Sequence, residues 1–277
     1  LSFFIWSTPP DQELIDLAAR GQLSDPEIIE AQARRMLADP RAESLATRFG
    51  SLWLRIQDLD LVDPDALSFP YYDKILANSM HRETELLFAH LVAEDRNILE
   101  LLTADYTFAN ERLARHYGIL GVTGSEFRRV NYPDDRRRGV LGHGSILTMT
   151  SEANRTSPVK RGKWVMEVLL GSPPPPPPPN VPDLEETGQT ENGRFKSVAD
   201  QLAEHRANPA CSSCHNMIDP LGLSLDNFDV TGAWRIKDRG VPINTEAVMY
   251  DGTELNGPTD LTAALLKRSD VIITHFT

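Results

Sequence analysis

Cysteine is scarce in this chain of 277 residues, because the only two are Cys211 and Cys214. A scaffold held together by several disulfides is therefore excluded. Long apolar runs are also missing, and since a bilayer-spanning helix needs about 18 or more apolar residues, the sequence predicts no membrane span. Positive charge is in deficit, with a net charge of −12. Such a surface repels nucleic acid, and it favours a basic protein as partner.

Hydrophobic residues still make up 40% of the chain, which is enough for a folded core. Their spacing favours a mainly α fold with few short strands. We expect a helical scaffold domain over 1–120, a middle segment with a helix and a polyproline strut over 121–195, and a C-terminally truncated α module over 196–277. Apolar residues at both ends stop in mid-pattern, so we expect a longer precursor with a targeting segment upstream.

Capping residues, prolines and glycines predict where individual helices begin and end. Ser157-Pro158 opens a predicted helix, and the seven prolines Pro173–Pro179 predict an extended strut between segments. A small hairpin is expected between Val241 and Gly257. The other predicted helices are Asp11–Gly21, a helix opening at Ser24-Asp25-Pro26, Arg41–Asp58, Tyr71–Ala93, Phe108–Tyr117, Val198–Arg206 and Leu261–Arg268.

The sequence Cys211-Ser-Ser-Cys214-His215 is the most informative motif in the chain. Covalent haem attachment needs two thiols for the two vinyl groups and an adjacent imidazole for the iron, and this spacing supplies all three. The motif therefore predicts one covalent haem c, with His215 as the proximal ligand, and makes residues 196–277 a cytochrome c-like haem module. We expect its second ring nitrogen to donate to a backbone carbonyl near a proline. A thioredoxin-like redox pair, a zinc site and a simple disulfide remain alternatives.

Three further stretches of the chain carry recognisable motifs. They are Tyr106-Thr-Phe-Ala-Asn110 to Gly118, then Arg138-Gly139 through His143 and Arg155-Thr-Ser-Pro158 to Trp164, and His205 through the cysteine motif to Asp219-Pro220-Leu221-Gly222 and Gly232-Ala-Trp234-Arg235. Together these stretches resemble a planctomycete-type cytochrome c family of exported, multi-domain bacterial proteins of unknown function. The resemblance implies haem binding and a periplasmic or otherwise extracytoplasmic location. It names no substrate.

The sixth ligand of the iron decides between electron transfer and peroxide chemistry. We predict His205, which a short loop separates from Cys211. Met249, Met149 and His143 are alternatives in that order. The haem propionates need cationic partners, and Arg206 and Arg235 are the nearest candidates in sequence.

The predicted function is electron transfer by a single-haem module within a larger exported redox protein or complex. No residue is expected to act as a catalytic base, and a redox protein is the expected partner. One alternative is an enzyme, a haem oxidoreductase similar to cytochrome c peroxidase. Another is a structural subunit in which the haem serves as a staple.

Overall fold

The computed structural model describes residues 1–176 and 196–276, and helices form most of it. The mainly α fold predicted from the sequence is thus confirmed. Of the predicted polyproline strut, Pro177–Pro179 lie outside the described residues. The α-helices are α1 Ser2–Ile5, α2 Gln12–Ala19, α3 Pro26–Leu37, α4 Ser51–Leu54, α5 Lys74–Ala93, α6 Glu100–Thr103, α7 Glu111–Tyr117, α8 Gly144–Met149, α9 Pro158–Trp164, α10 Val198–Arg206, α11 Pro209–Leu223, α12 Pro258–Leu266 and α13 Ser269–Phe276.

The strands form small antiparallel pairs at the edges of the helical body. In the first pair, β1 Tyr106–Ala109 lies beside β2 Arg128–Asn131, with Tyr106 opposite Asn131. The others are β3 Lys237–Asp238 with β4 Val241–Pro242, and β5 Glu246–Val248 with β6 Glu254–Asn256. The last pair lies between Val241 and Gly257 and confirms the small hairpin predicted there.

Side-chain caps fix most helix starts where the sequence predicted them. The carboxylate of Asp73 accepts a hydrogen bond from the amide of Leu76, so α5 begins at Lys74 and not at Tyr71. Other caps of this kind are Asp11, Asp25, Asn110, Ser157 and Ser197. Each satisfies a backbone N–H that has no partner inside the helix.

The prediction of one helix over Arg41–Asp58 is wrong. The segment is a π-helical stretch, Leu45–Gly50, followed by α4 and then by a 3₁₀ helix, Ile56–Leu61. The break lies at Arg55, whose φ of 60° is left-handed and ends α4. The apolar spacing of this region is helical throughout, but it does not encode the change of helix type.

One apolar core contains side chains from all three segments expected from the sequence. Leu54 of α4, Leu147 of α8 and Leu221 of α11 belong to the same buried cluster. A smaller cluster of Ile5, Trp6, Leu14 and Met36 joins α1, α2 and α3. The segments therefore share their main core, although the sequence pattern changes between them. Within the described ranges no helix is both long and apolar enough to cross a membrane.

A buried polar cluster lies where α5, α7 and the segment after β2 meet. The carboxylate of Glu83 accepts hydrogen bonds from the hydroxyls of Thr107 and Tyr117, both at 2.6 Å. Nε2 of His143 lies 3.8 Å from the same carboxylate. Burial raises the pKa of Glu83 to about 7 and lowers the pKa of His143 to about 3. Both groups are therefore held predominantly neutral near pH 6.

Arg137 completes this cluster from the opposite side. Its guanidinium lies 3.8 Å from the ring centre of Tyr117 and donates to the carbonyls of Gly142 and Gly232. Arg137 lies in the charged run Arg136–Arg138, yet its side chain is buried. Carbonyl groups and an aromatic face replace the water that a buried guanidinium loses.

Candidate functional site

The cysteine motif lies in the first half of α11, directly after α10. Because Cys211, Cys214 and His215 are spaced three and four residues apart, they share one side of the helix. Asn208 connects the two helices, and its carbonyl accepts from the amides of Cys211 and Ser212 at 3.0 Å, which closes the first turn of α11. Both thiols are free and partly exposed, so no disulfide joins them.

The imidazole of His215 is oriented by a buried carboxylate one turn further along α11. Its Nδ1 lies 2.9 Å from Oδ1 of Asp219, and the side chain of Asp219 is 0% exposed. The expected partner was a backbone carbonyl, so the sequence identified the wrong kind of acceptor. A hydrogen bond at Nδ1 leaves Nε2 as the nitrogen for a metal.

Arg206, the last residue of α10, holds the second oxygen of that carboxylate. Its guanidinium donates to Oδ2 of Asp219 at 2.8 Å. The sequence assigned Arg206 to a haem propionate, and the structure places it on the residue that orients His215. Arg235, the other candidate, lies 3.3 Å from a carboxylate oxygen of Asp226 and 3.0 Å from one of Asp238. Both guanidinium groups are therefore engaged by carboxylates of this chain.

His205 lies against His215, as the short separation in sequence predicted. The two ring centres are 4.6 Å apart, in an edge-to-face arrangement. Two imidazoles on opposite sides of one metal ion have ring centres about 6 Å apart, because each nitrogen lies about 2 Å from the metal. His205 would thus have to move outward to ligate together with His215. Burial is the main cause that lowers the pKa of His205, and the nearby His215 lowers it further. Both causes favour the neutral form of His205.

The other candidate ligands are placed elsewhere. Met249 is buried and lines an open groove of about 640 Å³ with Asn216 and Leu223, on a different side of α11 from His215. His143 belongs to the Glu83 cluster, where its Nδ1 lies 2.9 Å from the hydroxyl of Thr84. Met149 lies in the core, beside a second groove lined by α9. Among these candidates, His205 is the one found in contact with His215.

Helix α9 supports α11 through two glycines that allow the backbones to touch. A Cβ added at Gly222 would lie 1.8 Å from the carbonyl oxygen of Pro158. A Cβ added at Gly162 would lie 2.0 Å from the carbonyl oxygen of Ile218. Both distances are far below van der Waals contact. Any other residue at either position would therefore push the motif helix away from α9.

Arg161 fixes the chain that follows α11. Its side chain is 1% exposed, and it donates to the carbonyls of Leu225, Phe228 and Asp229 at 2.7, 2.8 and 2.9 Å. Its burial lowers its pKa to about 10. The sequence pattern gives no indication that the Arg161 side chain is fully buried and binds these carbonyls.

The residues on α11 are of the kinds that a covalently attached haem needs. Within residues 1–176 and 196–276, no group of three or more His, Cys, Asp and Glu side chains is arranged to hold a metal ion. A tetrahedral zinc ion needs four such ligands. Two free thiols and an imidazole with one oriented nitrogen are the groups that haem c uses. Cys211, Cys214 and His215 would hold it.

Two family models match most of the chain. Residues 1–119 match PSD4, described as a protein of unknown function (DUF1592), and residues 137–238 match PSCyt3, also described as a protein of unknown function (DUF1588). The second match contains α9, α10, α11 and the whole cysteine motif. No curated protein and no solved structure matches the chain. Over these two segments, the chain is similar to planctomycete cytochrome-type families whose function is unknown.

Proposed function

We propose that this chain carries one haem c, attached through Cys211 and Cys214 with His215 as axial ligand, and that it relays electrons to and from a redox partner protein. The haem would supply a one-electron couple between ferric and ferrous iron. The proposal also places the protein outside the bacterial cytoplasm, within a larger exported redox protein or complex.

The observation that carries this proposal is the orientation of His215 on the motif helix. Its Nδ1 is bound by the buried carboxylate of Asp219, while both thiols on the same side of α11 are free. A metal-binding histidine is commonly held in this way, since the outer hydrogen bond fixes the tautomer and the ring plane.

The protein residues have distinct tasks in this proposal. Asp219 and Arg206 hold the imidazole, α9 holds the helix, and the neutral His205 is the nearest second ligand. None of these residues is required to move a proton during electron transfer. The net charge of −12 favours a basic partner, because opposite charge steers the encounter of two proteins.

Attachment is tested by producing the protein in a host that has a cytochrome c maturation system. We expect the denatured polypeptide to retain haem colour on a gel and to exceed its bare mass by one haem. The double substitution Cys211→Ser with Cys214→Ser should abolish both, and each single substitution should remove one thioether. Ser212→Ala with Ser213→Ala, between the two thiols, is the matched control and should retain the haem. A wild-type protein with its bare polypeptide mass would refute the proposal.

The visible absorption spectrum of the purified protein then distinguishes an electron carrier from a peroxidase-like enzyme. A six-coordinate, low-spin iron at rest is expected of an electron carrier. A high-spin resting spectrum with rapid peroxide turnover would instead support the alternative of a peroxidase-like oxidoreductase.

A further inference from the structure

Asp219 is an unusual residue for its position. Its neighbours Ile218 and Leu221 belong to the apolar core, and its own side chain is 0% exposed. Burying a carboxylate is costly unless its oxygens are hydrogen-bonded and its charge is paired. Both conditions are met here, since Oδ1 faces Nδ1 of His215 and Oδ2 accepts from Arg206.

We propose that Asp219 is a positioning residue that makes His215 a stronger electron donor and so lowers the reduction potential of a haem held there. This inference rests on the proposed function. Arg206 limits this lowering of the potential, because its guanidinium donates a hydrogen bond to the second oxygen of the same carboxylate.

The chemistry follows from the kind of acceptor at Nδ1. A charged carboxylate accepts a stronger hydrogen bond than a neutral backbone carbonyl does. The stronger bond leaves more electron density on the imidazole and raises its basicity as a ligand. An electron-rich axial ligand stabilises ferric iron relative to ferrous iron, which lowers the potential.

The placement of Asp219 makes this effect an intrinsic property of α11. His215 and Asp219 are one helical turn apart, so the helix itself sets their separation. The surrounding core excludes water, which strengthens the interaction between the carboxylate and the ring. The guanidinium of Arg206 comes from α10, and its side chain is 26% exposed, so its hydrogen bond to Asp219 is the adjustable part of the arrangement.

The test compares midpoint potentials of purified holoproteins by optical redox titration at one fixed pH. Asp219→Asn keeps the size and an acceptor oxygen but removes the charge, and it should raise the potential. Asp219→Glu restores the charge and should return the potential towards the wild-type value. Arg206→Gln should shift the potential in the opposite direction, because it leaves the carboxylate uncompensated.

Asp229→Asn is the matched control. This carboxylate lies after α11 and accepts from the backbone amides of Thr231 and Ala233, so its loss removes the same charge without touching His215. The midpoint potential of the Asp229→Asn holoprotein should stay close to that of the wild-type holoprotein. A general effect of net charge would shift the Asp229 and Asp219 variants equally, and that result would overturn the inference.

The outcomes separate the inference from the proposed function. A wild-type protein without haem refutes the function itself. A wild-type protein with haem, whose potential is unchanged by Asp219→Asn, refutes the role of Asp219 and leaves the relay intact. If Asp219→Asn does not fold, as judged by circular dichroism, the Arg206→Gln variant decides the question, and an unchanged or raised potential would overturn the inference.

Discussion

The buried cluster around Glu83 gives the sharpest prediction about stability. The carboxyl group lies between β1 and α7, is 0% exposed, and accepts from Thr107 and Tyr117. Burial raises its pKa to about 7 from the usual 4.5, against the opposing effect of those hydroxyl donors. The substitution Glu83→Gln keeps the size of the side chain and removes its ability to ionise.

The sign of the pH dependence follows from the raised pKa. The folded protein binds the proton on Glu83 more tightly than the unfolded chain does, so this contribution is fully present below pH 4.5. It is lost as the pH rises through the folded pKa of about 7. The change from 4.5 to about 7 corresponds to about 3 kcal/mol, because each pH unit contributes about 1.4 kcal/mol. Above this range the wild type holds a buried charge that the glutamine variant lacks.

Urea unfolding of both proteins between pH 4 and pH 8.5 measures this contribution. The free energy of unfolding of the wild type, minus that of Glu83→Gln, should fall by about 3 kcal/mol from the acidic to the basic end. Taking the difference cancels groups that titrate alike in both proteins. Tyr117→Phe removes a donor that lowers the pKa of Glu83, so the transition should move to higher pH. A difference that stays constant over the whole range would show that Glu83 does not titrate there, and the reasoning would fail.

Two further predictions concern the motif helix α11 and the sixth ligand of a haem bound to it. Gly222→Ala should destabilise the protein by about 2–3 kcal/mol in urea unfolding, although alanine normally favours a helix by about 1 kcal/mol, because the new Cβ meets the carbonyl of Pro158. Gly50→Ala, whose Cβ meets only the ring of Phe88 at 3.0 Å, is the control and should change stability by less than about 1 kcal/mol. In the holoprotein, His205→Ala should convert the spectrum from low to high spin and open the iron to carbon monoxide, whereas Met249→Ala should do neither. If Met249→Ala changes the spectrum in this way and His205→Ala does not, the sixth ligand is Met249.

The sequence was sufficient for features that depend on neighbouring residues. Helix starts at Asp25 and Ser157 follow from capping chemistry, and the spacing of Cys211, Cys214 and His215 places them on one side of any helix. The break at Arg55 was not predictable in this way. A left-handed residue between two apolar stretches leaves no trace in their periodicity.

The hydrogen-bond partners of the buried polar side chains were harder to infer from the sequence. Asp219 is four residues from His215, so a helical hydrogen bond between them was available from the sequence. Whether His215 bonds to that carboxylate or to a backbone carbonyl depends on the position of Arg206, which α10 places beside Asp219. This is a tertiary contact, and the spacing of residues within α11 does not predict it. Arg137 and Arg161 illustrate the same limit, because the carbonyls that replace their water come from Gly232, Leu225 and other residues far along the chain.

The arrangement of α9 and α11 determines what belongs to the candidate site. A boundary near residue 195 would assign the motif helix to a separate C-terminal module. Yet the carbonyl of Pro158 fills the space above Gly222, and Arg161 binds the carbonyls that follow α11. Without α9, part of the backbone of α11 would be exposed to solvent. The three carbonyls that follow α11 would also lose their hydrogen bonds from Arg161. Since the orientation of His215 depends on the position of its helix, α9 is part of the site, and the match over residues 137–238 includes both helices.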